Sequence, residues 1–350
     1  MEQKRIALIG CGGMGTGHLN CYRSIPDAKI VALCDIVPGR AESKLELVDP
    51  DTPCYTDYHD VLAIPGLDAV DICTPNYLHS IIAVDALNSG LNVFCEKPDA
   101  INVSEALRMK EAAEKNNRVL MVMRNNRYAP ASAYLKKFIE DGKMGEIYAG
   151  RCGWQRRRGI PGKGGWFTTK EQSGGGPLID LGVHLIDLTM WLMGNPTPVA
   201  VSGCTYRKFA DTDVSDSVNS NFGEKQADGT FDVEDLAMGF IRFDNGACLQ
   251  IEFSWASNVE SENQFVELRG TKAGASWPRL KIFTEEYGRT VDVVPAMPQG
   301  VNGHRENLAH FVRVLQGKEA PMFVPQQGVN MIRILQAMYE SAEKGHEIAL

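Results

Sequence analysis

Three glycines, Gly10, Gly12 and Gly15, punctuate the segment Gly10-Cys11-Gly12-Gly13-Met14-Gly15 with the spacing G-x-G-x-x-G. An apolar run, Arg5 to Ile9, precedes them and a helical pattern follows, the setting in which this spacing carries meaning. Gly10 permits a tight turn, Gly12 lets the backbone approach a pyrophosphate, and Gly15 lets the helix pack closely on the strand. The N–H groups at the helix start offer positive potential to phosphate oxygens. A glycine-rich turn without a ligand is the plainer alternative, and Asp35 speaks against it. That carboxylate closes the second apolar run 20 residues past Gly15, where it can accept both hydroxyls of an adenosine ribose and would repel a 2′-phosphate. Ile36 and Val37 follow, and Arg40 is the nearest basic residue, so the expected cofactor is NAD in preference to NADP.

Two more segments stand at strand C-terminal ends, the edge where open α/β sheets bind ligands. Thr74-Pro75-Asn76 follows the strand ending at Cys73, and Glu96-Lys97-Pro98 follows Asn92 to Cys95. Thr74 and Asn76 either shape a turn or touch the cofactor. Lys97, placed after a buried strand and before a proline, is less readily explained as a solvated surface lysine. Farther on, Asp180, His184, Asp187 and Trp191 fall at i, i+4, i+7 and i+11 beside an apolar stripe of Leu178, Leu181, Leu185, Leu188 and Leu192. One face of such a helix packs and the other carries polar groups. A carboxylate four residues before a histidine can fix its tautomer or hold a substrate hydroxyl, or simply make a helical hydrogen bond.

Cys95-Glu96-Lys97-Pro98 and Asp180-Leu181-Gly182-Val183-His184 together resemble the Gfo/Idh/MocA oxidoreductase family, which includes inositol dehydrogenases, glucose-fructose oxidoreductase and other sugar dehydrogenases. The similarity runs from the Gly10 fingerprint through Thr74-Pro75-Asn76-Tyr77-Leu78-His79 to the closing helix near Ser341. It implies Lys97 and His184 as catalytic pair, Asp180 as a third member and Glu96 near the nicotinamide. Cofactor contacts are then expected from Gly10, Gly12, Gly13, Met14, Gly15, Asp35, Ile36, Arg40, Thr74, Pro75, Asn76, His79, Glu96 and Lys97. The chemistry is consistent with those roles. Hydride can leave a carbinol carbon only as the hydroxyl proton leaves, so a base must reach that oxygen. An imidazole can take the proton near neutral pH, and an ammonium can stabilise developing negative charge on oxygen.

The resemblance implies hydride transfer between nicotinamide and a secondary hydroxyl or ketone of a sugar, glycoside or cyclitol. Two other readings are an enzyme that retains NAD(H) and recycles it with a second sugar, and a non-catalytic NAD-binding regulator. The presence of both Lys97 and His184 argues against the last. Lys97, Asp180 and His184 are expected at the substrate, with Tyr128, which could instead pack at a domain junction. Trp166 joins them from an irregular stretch opening with Arg156-Arg157-Arg158, because an aromatic face stacks on a sugar ring. Arg124, Asn126, His304 and Asn307 are weaker candidates.

These residues need two domains to position them, since single cores stop growing near about 250 residues and the chain has 350. The expected fold class is α/β: an N-terminal Rossmann domain over 1–124, then an α+β domain over 125–350 with an open, mainly antiparallel sheet. Strands at Arg5 to Ile9, Ile30 to Cys34, Ala69 to Cys73, Asn92 to Cys95 and Val119 to Met123 alternate with helices at His79 to Ser89 and Val103 to Asn116. Beyond them, strands at Ala247 to Phe253 and Phe265 to Arg269 accompany helices at Pro130 to Asp141, Leu178 to Met193, Arg305 to Leu315 and Gln326 to Lys344. The last helix is a candidate to pack back on the first domain. Asp211 to Asp232, polar and aperiodic, reads as a surface excursion.

A net charge of −8 opposes a polyanion, so no nucleic-acid partner is expected. No apolar stretch is long enough for a bilayer, and a strand pattern starts at once in place of a signal peptide, so the expectation is no membrane and a cytoplasmic location. Nine cysteines without a Cys-x-x-Cys pair and seven unclustered histidines imply reduced thiols and no metal. A homo-oligomer is expected through the C-terminal sheet, whose open face would otherwise expose apolar surface.

Overall fold

The computed structural model describes residues 3–350. It divides into two compact units, one running to Arg124 and including Asn302–Val329, the other comprising Asn125–Val301 and Asn330–Leu350.

In the first unit β1 (Lys4–Ile9), β2 (Ala28–Cys34), β3 (Cys54–Tyr55), β4 (Ala69–Ile72), β5 (Asn92–Cys95) and β6 (Leu120–Val122) form one sheet in the order β3-β2-β1-β4-β5-β6. Every pairing is parallel. The connections carry α1 (Gly13–Tyr22), α2 (Tyr58–Leu62), α3 (His79–Asn88) and α4 (Val103–Lys115). Strand order reverses between β1 and β4, which opens a crevice beyond their C-terminal ends. A returning helix, Gly303–Leu315, completes this core: Leu308, Phe311 and Val312 are buried with Leu19 and Phe94, and the Phe94 and Phe311 rings lie 5.3 Å apart. Asn302 caps that helix, and Asn307 inside it accepts the Arg124 backbone N–H at 2.6 Å. The helix returning to the first unit is thus the one at Gly303–Leu315, while the closing helix, Pro325–Lys344, crosses the division between the units.

The second unit is built on a nine-stranded sheet. Its strands are β7 (Ile147–Gln155), β8 (Pro198–Tyr206), β9 (Leu236–Phe243), β10 (Cys248–Ser254), β11 (Asn263–Gly270), β12 (Gly274–Trp277), β13 (Lys281–Glu286), β14 (Arg289–Val293) and β15 (Ile348–Ala349), in the order β14-β13-β12-β11-β7-β10-β9-β8-β15. All pairs are antiparallel except β7 with β10. One face is apolar: Cys152, Leu249, Ile251, Phe253, Val266 and Leu268 are buried. The helices of this unit are α5 (Pro130–Glu140), α6 (Lys170–Ser173) and α7 (Val183–Leu192), the last preceded by a π-helical turn, Leu178–Gly182. Gly182 is needed against the sheet, because a Cβ there would meet the Phe253 ring at 3.3 Å.

The other face of this sheet mixes apolar and charged side chains: Phe283 is exposed, and Arg151, Arg242 and Lys281 lie over the rings of Phe265, Phe240 and Phe283. Arg151 holds Glu267 in a bidentate pair at 2.7 and 2.8 Å, and a depression of about 300 Å³ is lined by Phe265 together with Arg151, Gln155, Gln250, Glu252, Asn263 and Glu267, among others. The excursion at Asp211–Asp232 contains no strand and packs on the stretch after β7: Gly162 donates to Phe222 O at 2.8 Å, Gln226 N to Lys163 O at 2.9 Å, and Thr168 Oγ1 to Thr230 O at 2.7 Å.

Candidate active site

The glycine turn meets the steric demands read from its spacing. Gly10 has φ +97°, and a Cβ there would sit 2.6 Å from the Cys73 carbonyl. At Gly15 a Cβ would fall 2.0 Å from Gly10 O, whereas at Gly12 it would meet nothing within 4 Å. The backbone is therefore tight where strand meets helix and open where a phosphate would approach. Asp35 is buried at the end of β2; its Oδ2 accepts the Cys11 N–H at 2.8 Å and its Oδ1 the Val37 N–H at 2.9 Å. Arg40 stands 3.5 Å from Oδ1, and Ile36 is 82% exposed beside it. These residues fit a dinucleotide: an open amide cradle, an acid at the ribose position and an uncovered apolar side chain near it.

At the end of β5, Glu96 is buried and Lys97 half-buried. Glu96 Oε2 accepts the Lys97 N–H at 3.1 Å, and Oε1 accepts from His18 Nε2 at 2.9 Å. His18, wholly buried on α1, gives its other nitrogen to Asp71 Oδ2 at 2.8 Å. Carboxylates only accept, so both ring nitrogens donate and His18 is an imidazolium. Burial works against that charge, but Asp71 and its hydrogen bonds outweigh burial and hold the pKa well above 6.5. Burial would likewise raise Glu96; the His18 hydrogen bond and charge, with Lys97 and His304, take it down to about 2. The Cys73 sulfur lies 3.2 Å from His18 Nδ1, and one ligand atom each from His18, Asp71 and Cys73 fall within 4.8 Å of one another. The sequence reading, which expected no metal, did not foresee this grouping. With both ring nitrogens bound to carboxylates, it is a charge network. His79 ties the two strand-end loops together: its ring contacts Thr74 O at 2.9 Å and Pro98 O at 2.8 Å.

In the second unit the face holding Asp180 and His184 is not the continuous α-helical surface expected. The π turn at Leu178–Gly182 carries Asp180, and α7 proper begins at Val183. Such turns insert a residue and recur at functional sites. Asp180 and His184 are half-buried, but Asp187 is buried and taken by Arg127 at 2.8 and 2.7 Å, so the later part of this face is closed. The Trp255 indole donates to Asp180 Oδ2 at 2.9 Å, and the Trp154 ring lies 6.4 Å from the His184 ring. Trp154 in turn carries the Arg156 guanidinium 4.9 Å over its face.

Trp166, the aromatic residue preferred from sequence, is half-buried and stacked at 3.8 Å on Phe167, which meets Phe222 at 5.6 Å. It belongs to the packed double loop, and Trp154 and Trp255 are the indoles in contact with His184 and Asp180. Tyr128 is half-buried next to Arg127. Among the weaker candidates, Arg124 pairs with Asp99 at 2.5 Å and covers the Phe323 ring, a structural role. Sequence reasoning missed His18, Asp71, Trp154 and Trp255. A charged Asp71 within a buried strand was the one available signal, since such a carboxylate needs a partner.

Residues 4–124 match the model of an oxidoreductase family with an NAD-binding Rossmann fold, and residues 136–350 match the C-terminal α/β domain of the same family. The chain belongs to the Gfo/Idh/MocA oxidoreductase family. It is 32% identical over 348 residues to D-glucoside 3-dehydrogenase of Escherichia coli K12, covering 99% of this chain and 97% of that protein. Levoglucosan dehydrogenase of Pseudarthrobacter phenanthrenivorans is 30% identical over 78% of this chain and 73% of its own length. A solved levoglucosan dehydrogenase in complex with NADH superposes with a TM-score of 0.86 at 25% identity, covering 99% of each chain. The protein is an NAD-dependent oxidoreductase acting on CH–OH groups. Among the described residues no helix is long and apolar enough to cross a membrane.

Proposed function

We propose that this chain oxidises a secondary hydroxyl of a pyranose sugar or glycoside, with Lys97 and His184 as its catalytic residues. The observation that carries the reading is the half-buried Asp180 and His184 pair flanked by the indoles of Trp255 and Trp154, in a chain whose other unit is an NAD-binding Rossmann fold. The partly exposed Trp154 ring and the Asp180 carboxylate are what a sugar ring needs, apolar C–H surface on one side and hydroxyls at the rim, while the fully buried Trp255 acts only by holding Asp180. The glucoside and levoglucosan named for two relatives support the same class.

When bound, nicotinamide supplies the acceptor for the hydride. The alcohol loses a hydride and a proton and becomes a ketone. His184 takes the hydroxyl proton, Lys97 steadies the negative charge that gathers on the oxygen, and Asp180 orients substrate hydroxyls. Trp255 holds Asp180 in place by donating its indole N–H to Oδ2. Glu96 fixes the Lys97 backbone and is itself fixed by His18.

NAD is the proposed cofactor in preference to NADP, because Asp35 presents a carboxylate at the ribose position; Arg40 at 3.5 Å offsets part of its charge. Gly13, Met14, Thr74, Pro75 and Asn76 are proposed cofactor contacts, and Tyr128 a substrate contact. A second copy of the chain is the proposed cover for the outer face of the second sheet, where Phe265 and Phe283 stand among charged side chains, with light scattering as its test. The cytoplasm is the proposed compartment, in keeping with nine free cysteines. A panel of polyols and glycosides assayed with NAD and NADP tests the function: oxidation of a pyranoside with NAD supports it, and reaction confined to acyclic alcohols contradicts it.

A further inference from the structure

Arg156 is buried, its side chain 6% exposed, yet its guanidinium is nearly unused by the protein. Of five N–H donors one makes a hydrogen bond, Nη1 to Gly159 O at 3.2 Å. Nε is enclosed and has no hydrogen-bond partner. The nearest carboxylate, Glu262, is 3.9 Å from Nε, and it already accepts the Trp154 indole N–H at 2.8 Å.

The backbone of the same residue is held firmly. Arg156 N donates to Ser254 O at 2.9 Å, and the hydroxyls of Ser257 and Ser254 both donate to Arg156 O, at 3.1 and 3.4 Å. Gly159 leaves room for the side chain, since a Cβ there would press on Arg156 Cδ at 3.0 Å. A fold that fixes a buried cation so closely, yet matches its guanidinium with one hydrogen bond and leaves the enclosed Nε without an acceptor, has the makings of a binding group, because an unpaired buried donor calls for an explanation. Its surroundings say for what. The Trp154 ring touches both the guanidinium, at 4.9 Å, and the His184 imidazole, at 6.4 Å between ring centroids. Burial depresses the Arg156 pKa, and the charges of Asp180 and Glu262 act against that depression.

We propose that Arg156 is a substrate-binding residue that selects neutral sugars, donating to a hydroxyl oxygen other than the one being oxidised. Guanidinium donates and Asp180 accepts, so together they read hydroxyls on a sugar ring. The charges of Asp180 and Glu262 act on this guanidinium and weaken its pull on an anionic substituent, which sets a glycoside above the corresponding uronic acid. The proposal rests on the sugar-oxidoreductase reading.

The test compares wild type, Arg156→Met and Arg156→Lys with methyl glucopyranoside, its monodeoxy derivatives and methyl glucuronide. Arg156→Met is expected to raise KM for the glycoside about tenfold or more with kcat changed far less and NAD affinity unaltered; Arg156→Lys falls between. One deoxy derivative should be penalised in wild type and not in Arg156→Met. Unchanged KM, the same deoxy penalties in both proteins, preference for the glucuronide, or a loss of NAD affinity and thermal stability in step with KM would overturn the assignment. Titration of the NADH-loaded proteins with the same glycosides, followed by tryptophan fluorescence, separates the two claims. Binding without turnover, lost in Arg156→Met, keeps this role and removes the oxidoreductase reading; no binding to wild type removes both.

Discussion

The buried His18 of the first unit and the buried Arg156 of the second are both cations, and the protein treats them in opposite ways. His18 lies between Asp71 and Glu96 at 2.8 and 2.9 Å, every donor matched by a built-in acceptor. Arg156 has one hydrogen bond at 3.2 Å and an enclosed nitrogen with none. The difference separates a charge that holds the scaffold from a charge kept for a ligand. The loop carrying Glu96 and Lys97 is set in place by the protein alone, whereas the enclosed Arg156 Nε has no acceptor within the protein.

The largest effect should come from the proposed chemistry. Lys97→Ala and His184→Ala are each expected to lower kcat by about 10²- to 10⁴-fold, with NAD affinity moved much less, as read by coenzyme absorbance and calorimetric titration. Next is the scaffold. His18→Leu leaves two buried carboxylates uncompensated and should cost about 3–5 kcal/mol in denaturant unfolding, with His18→Gln costing less. This network also has a pH signature. The folded His18 pKa lies well above 6.5, so its stabilisation is complete below that value and is lost as pH rises through the folded value. Glu96, lowered from 4.5 to about 2, stabilises above 4.5 and loses that contribution as pH falls toward 2. The alkaline fall in the wild-type unfolding midpoint should shrink in His18→Leu.

A smaller change is expected at the cofactor. Asp35→Ser should lower kcat/KM with NAD about tenfold and raise the NADP-to-NAD ratio, because the ribose acceptor and the repulsion are removed together. Smallest is the stability effect of Arg156→Met, about 1 kcal/mol or less and of either sign, since Met fills similar space and replaces a poorly paired charge. A penalty as large as that of His18→Leu would erase the distinction between the two cations.

Periodicity made most of this fold legible. The buried parallel strands are near-continuous apolar runs, and the glycine turn declares its own geometry through Gly10, Gly12 and Gly15. Short elements such as Cys54–Tyr55 carry too few residues for a pattern. The π turn at Leu178–Gly182 escaped because its hydrogen bonds span only one residue more than those of an α-helix, too small a change for a five-residue stretch to show in its apolar pattern. Candidate site residues on recognisable motifs could be named from the sequence; contacts made by tertiary approach could not. His18 finds its carboxylates 53 and 78 residues away, and Asp187 finds Arg127 60 residues away. Trp166 looked like the sugar-facing indole because its loop is long and irregular, but the structure stacks it on Phe167 and sets Trp154 and Trp255 against His184 and Asp180.

The account is tested most directly by incubating the purified protein with NAD and a panel of pyranosides, following coenzyme absorbance and product mass together. It predicts one NADH for each product molecule two hydrogens lighter than its parent, with both signals slowed together by about 10²-fold or more in His184→Ala. NAD bound at saturation with no sugar in the panel changing mass would contradict it.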